Sequence, residues 1–250
     1  MRWPHTSPRA STRPVADPVS GTSGDDLGQR FARLAGVIAT LRERCPWTAA
    51  LTHQSLLEYL IEESYEVVEA VEAGHTGAEH AQELAGELGD VLFQVLLHAR
   101  LQEEAGHFGI GDVVESLTAK MIRRNPHVFA PDGTLRSTTT DDPADIERAW
   151  DSIKQREKPE RTSPFDGIPA GLPALLLAAK VQDRARRAGV PVLPGVPVLP
   201  GEPDGPHPAP WNGEVELGDH LFDVVRRAQA QGLDAEAALR AAVGRFTNRS

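Results

Sequence analysis

The chain has 250 residues, 40% of them apolar but only 5% aromatic, and a formal net charge of −10. That length sets one or two domains built on an aliphatic core. The acidity disfavours nonspecific binding to nucleic acid or to an anionic membrane, since both need a basic surface. Cys45 is the only cysteine, so neither a disulfide framework nor a cysteine-based zinc site can form within one chain. The longest apolar run, 173–179, is far too short to cross a bilayer. Residues 1–25 carry no apolar run of the signal-peptide kind, and a cytoplasmic protein is expected.

Residues 1–25, rich in Pro, Ser, Thr and Gly, are expected to form a disordered tail. From Asp26 the spacing turns helical: Phe31, Leu34, Val37, Ile38 and Leu41 share one face of a helix that ends before Cys45-Pro46-Trp47. A second helix is predicted over about 52–73, with Gly74 as its C-terminal stop. Thr76 and Glu79 have the spacing of a capping box and open a third, long helix to about Ala105. A fourth covers about 111–123 and stops before Pro126. Asp142-Pro143 reads as an N-cap followed by a first-turn proline, opening a fifth to about Glu157. Pro173 starts a sixth, closed by Gly189. Residues 190–210, VPVLPGVPVLPGEPDGPHPAP, are too rich in proline for helix or central strand and read as an extended linker. Two short helices are expected after it, over about 214–231 and 234–246. No strand signal stands out, and the fold class is all-α.

The second and third helices carry an unusual set of acids. On the second, Leu56, Leu60, Val67 and Val71 define an apolar stripe, widened by Leu57, Ile61 and Val68. Glu63 and Glu66 border it at i, i+3. The third is apolar nearly all round, which predicts burial, yet Glu83, Glu87, Asp90, Gln94 and His98 form one polar stripe along it. Buried carboxylates need partners, and no Lys or Arg shares that stripe. Antiparallel packing through the turn at 74–76 would set Glu63 and Glu66 against Glu87 and Asp90. Four carboxylates without a thiol make a hard-oxygen site, suited to Mg²⁺ or Mn²⁺ rather than zinc, and hence to phosphate chemistry. The segment Glu-Ala-Gly-His occurs twice, at 72–75 and 104–107, with the Glu-x-x-His spacing of di-iron bundles. Each copy holds a Gly at a predicted helix end, so C-capping is the simpler reading.

These residues resemble the MazG family of nucleoside triphosphate pyrophosphohydrolases. The paired motifs are Glu62-Glu63-Ser64-Tyr65-Glu66 and Glu87-Leu88-Gly89-Asp90. Further matching stretches are Cys45-Pro46-Trp47, Thr52-His53-Gln54-Ser55-Leu56, the Arg123–Phe129 segment, and Trp150 with Lys154. Thr48 stands where the family usually has Asp, and Asn125 where His is common. The resemblance covers about 27–190. It implies an all-α bundle, usually dimeric, that hydrolyses nucleoside triphosphates to monophosphate and pyrophosphate. It implies that Glu63, Glu66, Glu87 and Asp90 hold Mg²⁺, with Glu62 a further ligand or the base for water. Phosphate contacts call for cations, and Lys120, Arg123, Arg124 and Lys154 are the candidates. The competing readings are a helix C-terminus that favours cations for the first three and an ordinary exposed lysine for Lys154. Trp47 and His53 are candidates to stack on or hydrogen-bond a base, with plain core packing the alternative for Trp47.

The longer MazG proteins carry two such domains in tandem. Here Glu216-Leu217-Gly218-Asp219 repeats the second motif, but only the proline-rich stretch precedes it. Residues 213–250 are therefore expected to be the remnant of a second domain, after a catalytic domain over 26–160, a connecting segment over 161–189 and a linker over 190–212. Two other functions remain open on sequence alone. One is hydrolysis of another pyrophosphate substrate, of the dUTP or phosphoribosyl-ATP type. The other is a non-catalytic, metal-stabilised helical adaptor.

Overall fold

A computed structural model describes residues 23–137, 142–192, 211 and 213–247. The chain divides into two compact units, 1–119 and 120–250. The expected N-terminal tail, up to residue 22, and nearly all of the proline-rich linker lie outside the described residues. Among those described there is no strand, only an isolated antiparallel bridge between Phe129 and Leu135.

The first unit is built on α1 (Ser23–Arg44), the short α2 (Pro46–Ala49), α3 (Leu56–Glu72), α4 (Ala81–Glu104) and the start of α5 (Ile110–Arg124). α3 packs against α4, and α1 packs against both α2 and α4. The core they share is Ile38, Leu51, Leu56, Leu96 and Leu97, with Phe31, Leu92 and Phe93 against it. Helix α1 starts at Ser23, three residues before the expected point, and ends as anticipated. The Cys-Pro-Trp segment does not simply leave the helix. Pro46 at the first position of α2 begins another turn. Thr48 is 2% exposed, and its hydroxyl donates to the Leu41 carbonyl at 2.6 Å, satisfying one end carbonyl of α1.

Helix α3 begins later than expected. Thr52 and Ser55 cap each other instead: the Thr52 N–H donates to Ser55 Oγ at 2.9 Å, and the Ser55 N–H to Thr52 Oγ1 at 3.2 Å. Its far end is as read from sequence. Gly74 sits at φ 81°, the His75 N–H reaches the Ala70 carbonyl at 2.9 Å, and the Gly74 N–H reaches Val71 at 3.1 Å. The same pair of bonds closes α4 at Gly106 and His107. Both Glu-Ala-Gly-His segments are thus helix ends, with each His beyond the last turn, and neither forms a helical Glu-x-x-His ligand pair. The Thr76–Glu79 capping box does not form. The Glu79 carboxylate folds back over Gly77, a 3₁₀ turn occupies Ala78–His80, and α4 proper starts at Ala81.

The expected burial of α4 holds on one side only. Gln94, Leu96, Leu97 and Ala99 are buried, whereas Leu88 is 53% exposed. Leu57 and Ile61 of α3, expected in the core, are also exposed. α1 and α3 pack against α4, and Leu57, Ile61 and Leu88 lie on faces that this packing leaves open.

In the second unit, α6 (Pro143–Glu157) opens as expected, with the Ala144 N–H donating to Asp142 Oδ1 at 2.9 Å. α7 (Ala174–Arg187) packs against α8 (Glu214–Ala230) and α9 (Ala235–Thr247), which also pack on each other. Val225 is fully buried. Gln182 of α7 donates to the Phe222 carbonyl at 2.7 Å, and Gln229 of α8 donates to Ala179 at 2.9 Å. Buried side-chain bonds of this kind fix one helix against another, because breaking either leaves a desolvated polar group.

Candidate metal centre

Glu63 and Glu66 lie one turn apart on α3, and Glu87 lies on the facing helix α4. One carboxylate oxygen from each falls within 4.8 Å of the other two. Glu66 lies close enough to Glu63 and Glu87 to raise the pKa of each. Carboxylates gathered this closely favour a proton or a cation between them. Glu63 accordingly has its pKa pushed up to about 7, first by desolvation, then by the neighbouring carboxylates of Glu66, Asp90 and Glu62. Glu87 is also raised, by desolvation and by Glu66, Asp90 and Glu83. Every influence on these two groups points the same way, and no Lys or Arg offsets it.

Asp90 lies outside the group of three, though its charge acts on Glu63 and Glu87 alike. Glu62 is exposed, about 100° round the helix from Glu63, and also acts on it electrostatically. The donor set is oxygen only, partly desolvated and short of positive charge, which is what a hard divalent cation requires.

Beside the helix pair is a cavity of about 400 Å³, with Leu60, Val95, Phe108, His53, His98 and Gln102 among its lining residues. Its polar side chains form a chain of bonds. Gln102 Nε2 lies 2.7 Å from His53 Nε2, and His53 Nδ1 lies 2.7 Å from His98 Nδ1. An amide nitrogen only donates, so His53 Nε2 accepts and its proton is on Nδ1. That proton goes to His98 Nδ1, which leaves the His98 proton on Nε2. His98 Nε2 is buried and has no hydrogen-bond partner among the described residues. Burial and the neighbouring His53 hold the His98 pKa below its usual value, keeping the ring neutral. His98 and Gln102 were not singled out as site residues from sequence. The signal was present, since both extend the Glu83–His98 stripe at four-residue steps. Trp47 is 59% exposed, so core packing is not its role.

The expected phosphate-binding cations lie in the second unit. Arg123 and Arg124 both engage Glu157, at 2.7 and 2.5 Å, and hold its pKa down to about 2. Arg124 also stacks over Trp150, 5.5 Å from its ring centroid. Lys154 is half-buried, and its pKa is lowered by desolvation and by Arg184, Arg124 and Arg161. Lys120 lies at the same end of α5 as the two arginines.

On α8, Glu216 and Asp219 repeat the spacing of Glu87 and Asp90. Among the described residues they belong to no group of three convergent metal-ligating side chains.

Fold and site together define an all-α bundle with a carboxylate centre for a divalent metal between two antiparallel helices. Residues 51–129 match the MazG nucleotide pyrophosphohydrolase domain. The chain is 34% identical to the nucleoside triphosphate pyrophosphohydrolase/pyrophosphatase MazG of Thermotoga maritima, over 90% of this chain and 85% of that protein. It is 32% identical to the nucleoside triphosphate pyrophosphohydrolase of Escherichia coli K12, over 87% and 84%. An uncharacterized 26.1 kDa protein in the blaB 3′ region of Streptomyces cacaoi is 42% identical over 88% and 81%. The chain belongs to the MazG nucleotide pyrophosphohydrolase family.

Proposed function

We propose that the protein hydrolyses nucleoside triphosphates, ribo or deoxy, to monophosphate and pyrophosphate in a Mg²⁺-dependent reaction that clears the nucleotide pool. The observation that carries this reading is the convergence of Glu63, Glu66 and Glu87 with no cation beside them. These three, with Asp90, would hold the metal. When bound, Mg²⁺ or Mn²⁺ neutralises triphosphate charge and lowers the pKa of a coordinated water. Glu62 stands outside the cluster yet close enough to act on Glu63, so it is placed to take up the proton of the attacking water. The cavity, of a size to hold a small ligand, receives the base. His98, which lines it, is the candidate donor to the base, and the exposed Trp47, which is not among the lining residues, is the candidate for stacking.

Lys154, with its arginine neighbours, is the second unit's candidate for phosphate, since an anion there relieves their mutual repulsion. The working form is a cytoplasmic homodimer. Leu57, Ile61 and Tyr65, four residues apart along α3, are exposed and apolar, as is Leu88 on α4, and a second copy would cover them. Residues 213–250 are the remnant of a second domain, and α8 keeps only half of a metal site.

Pyrophosphate release from a panel of NTPs and dNTPs, with and without Mg²⁺, tests the reading. Turnover that requires the metal and yields monophosphate is expected. Release of orthophosphate, or no turnover by folded protein, overturns it.

A further inference from the structure

The turn between α3 and α4 gathers a second set of metal-ligating side chains, different in kind from the carboxylate cluster. His75 Nδ1 lies 3.2 Å from Glu83 Oε2, and His80 Nδ1 lies 2.9 Å from the same oxygen. The two imidazoles stack with centroids 4.1 Å apart and planes 15° from parallel. The three donor atoms all lie within 4.8 Å of one another.

The backbone explains the convergence. Gly74, at φ 81°, reverses the chain after α3 and delivers His75 just outside the helix. The 3₁₀ turn Ala78–His80 then sets His80 beneath it, and Glu83 follows one turn into α4.

We propose that His75, His80 and Glu83 form a second metal site that takes one borderline divalent cation of the Zn²⁺ or Co²⁺ type. Bonds of about 2.0–2.1 Å to nitrogen and oxygen put tetrahedral ligands about 3.3 Å apart, close to the two measured N–O separations. Imidazole donors select such ions over Mg²⁺, whereas the oxygen-only cluster does the reverse. The three side chains are 32%, 39% and 55% exposed, which leaves water access to the remaining coordination position. His80 Nδ1 hydrogen-bonds Glu83 Oε2 and His75 Nδ1 lies beside the same oxygen, so a cation there would replace the proton that His80 shares with it. Glu83 precedes Glu87 by one turn of α4, so an ion here alters the charge beside the first cluster.

The test is Co²⁺ titration of the full chain in saturating Mg²⁺, read by visible absorption. It uses no turnover and is therefore independent of the pyrophosphohydrolase reading. One equivalent is expected, with d–d bands of a nitrogen–oxygen site, displaced by Zn²⁺. His75→Ala and His80→Ala should each weaken binding at least about tenfold, because losing a ligand costs no less than losing an outer-shell partner. Glu66→Gln should leave the band in place. Paramagnetically shifted imidazole resonances of the unmutated chain count the ligands without any substitution, and two histidines are expected. No Co²⁺ band, no shifted imidazole resonance, or a band lost in Glu66→Gln but kept in both histidine variants overturns the proposal.

Discussion

Glu66 of α3 and Glu87 of α4 bring carboxylate oxygens within 4.8 Å of each other, and Glu63, one turn from Glu66, joins them. Protons and metal therefore compete for the same oxygens. Glu63 titrates near 7, against an ordinary value of 4.5, so the folded metal-free protein binds more protons than the unfolded chain between those limits. Stability of the metal-free form should fall as pH rises through that window. Subtracting the Tm curve of Glu63→Gln from that of the unmutated protein isolates the effect, and a difference that does not change with pH contradicts it. Mg²⁺ affinity should rise with pH up to about 7, by about tenfold per unit for one displaced proton, measured by calorimetry.

Asp90 and Asp219 occupy the same place in the two Glu-Leu-Gly-Asp segments. Asp90→Ala should lower Mg²⁺-dependent turnover about 10–100-fold, as loss of a group supporting a metal does. Asp219→Ala should stay within about twofold, being independent of the cluster. Equal losses would mean that α8 holds part of a working site.

His98 lines the cavity, and its buried Nε2 has no hydrogen-bond partner among the described residues. His98→Phe keeps an aromatic ring but removes the donor. It should raise KM about tenfold or more for the preferred nucleotide, the worth of one buried hydrogen bond, with kcat little changed. An unchanged KM across the nucleotide panel would exclude His98 from base recognition.

Lys154 is the second unit's phosphate candidate. Lys154→Ala should raise KM for the triphosphate several-fold and leave the melting temperature at or above that of the unmutated protein, because the substitution removes repulsion from Arg184 and Arg124. A lowered melting temperature with unchanged KM would make its role structural.

Arg42 ties three segments of the first unit together. It ion-pairs with Glu104 at 2.6 Å and donates to the carbonyls of Thr48 and Leu51, with its side chain only 8% exposed. Arg42→Ala removes the side-chain donor to the Leu51 and Thr48 carbonyls and leaves Glu104 with Arg100 alone, and should cost about 1–3 kcal/mol, read by urea unfolding. A loss under about 0.5 kcal/mol would place the pair among ordinary surface ion pairs.

The local elements were legible because their signals are local. Asp142 caps through its own carboxylate and Gly189 through its own backbone, and each marks the helix end expected of it. Gly74 and Gly106 likewise decided, from sequence, that His75 and His107 fall outside their helices. Glu63, Glu66 and Glu87 were readable as a set because i, i+3 spacing and a short turn leave antiparallel helices little choice of register. The Thr76 capping box failed because Glu79 found another place to turn, over Gly77, which spacing cannot reveal. Leu57, Ile61 and Leu88 were expected inside and are exposed, since an apolar residue does not say which neighbour will cover it.

The sequence by itself determined the helices, most of their C-terminal ends and the spacing of the acids, because helical periodicity and capping act over a few residues. Only the tertiary structure decided that Asp90 stands back from the three convergent carboxylates. It alone linked His53 to His98 across 45 positions, with His98 Nε2 left buried and without a partner among the described residues. It alone set His75 and His80 on a single oxygen of Glu83. Those relations depend on how turns fold back and how helices pack, and side chains distant in sequence acquire a common chemistry only when that packing brings their atoms within bonding distance.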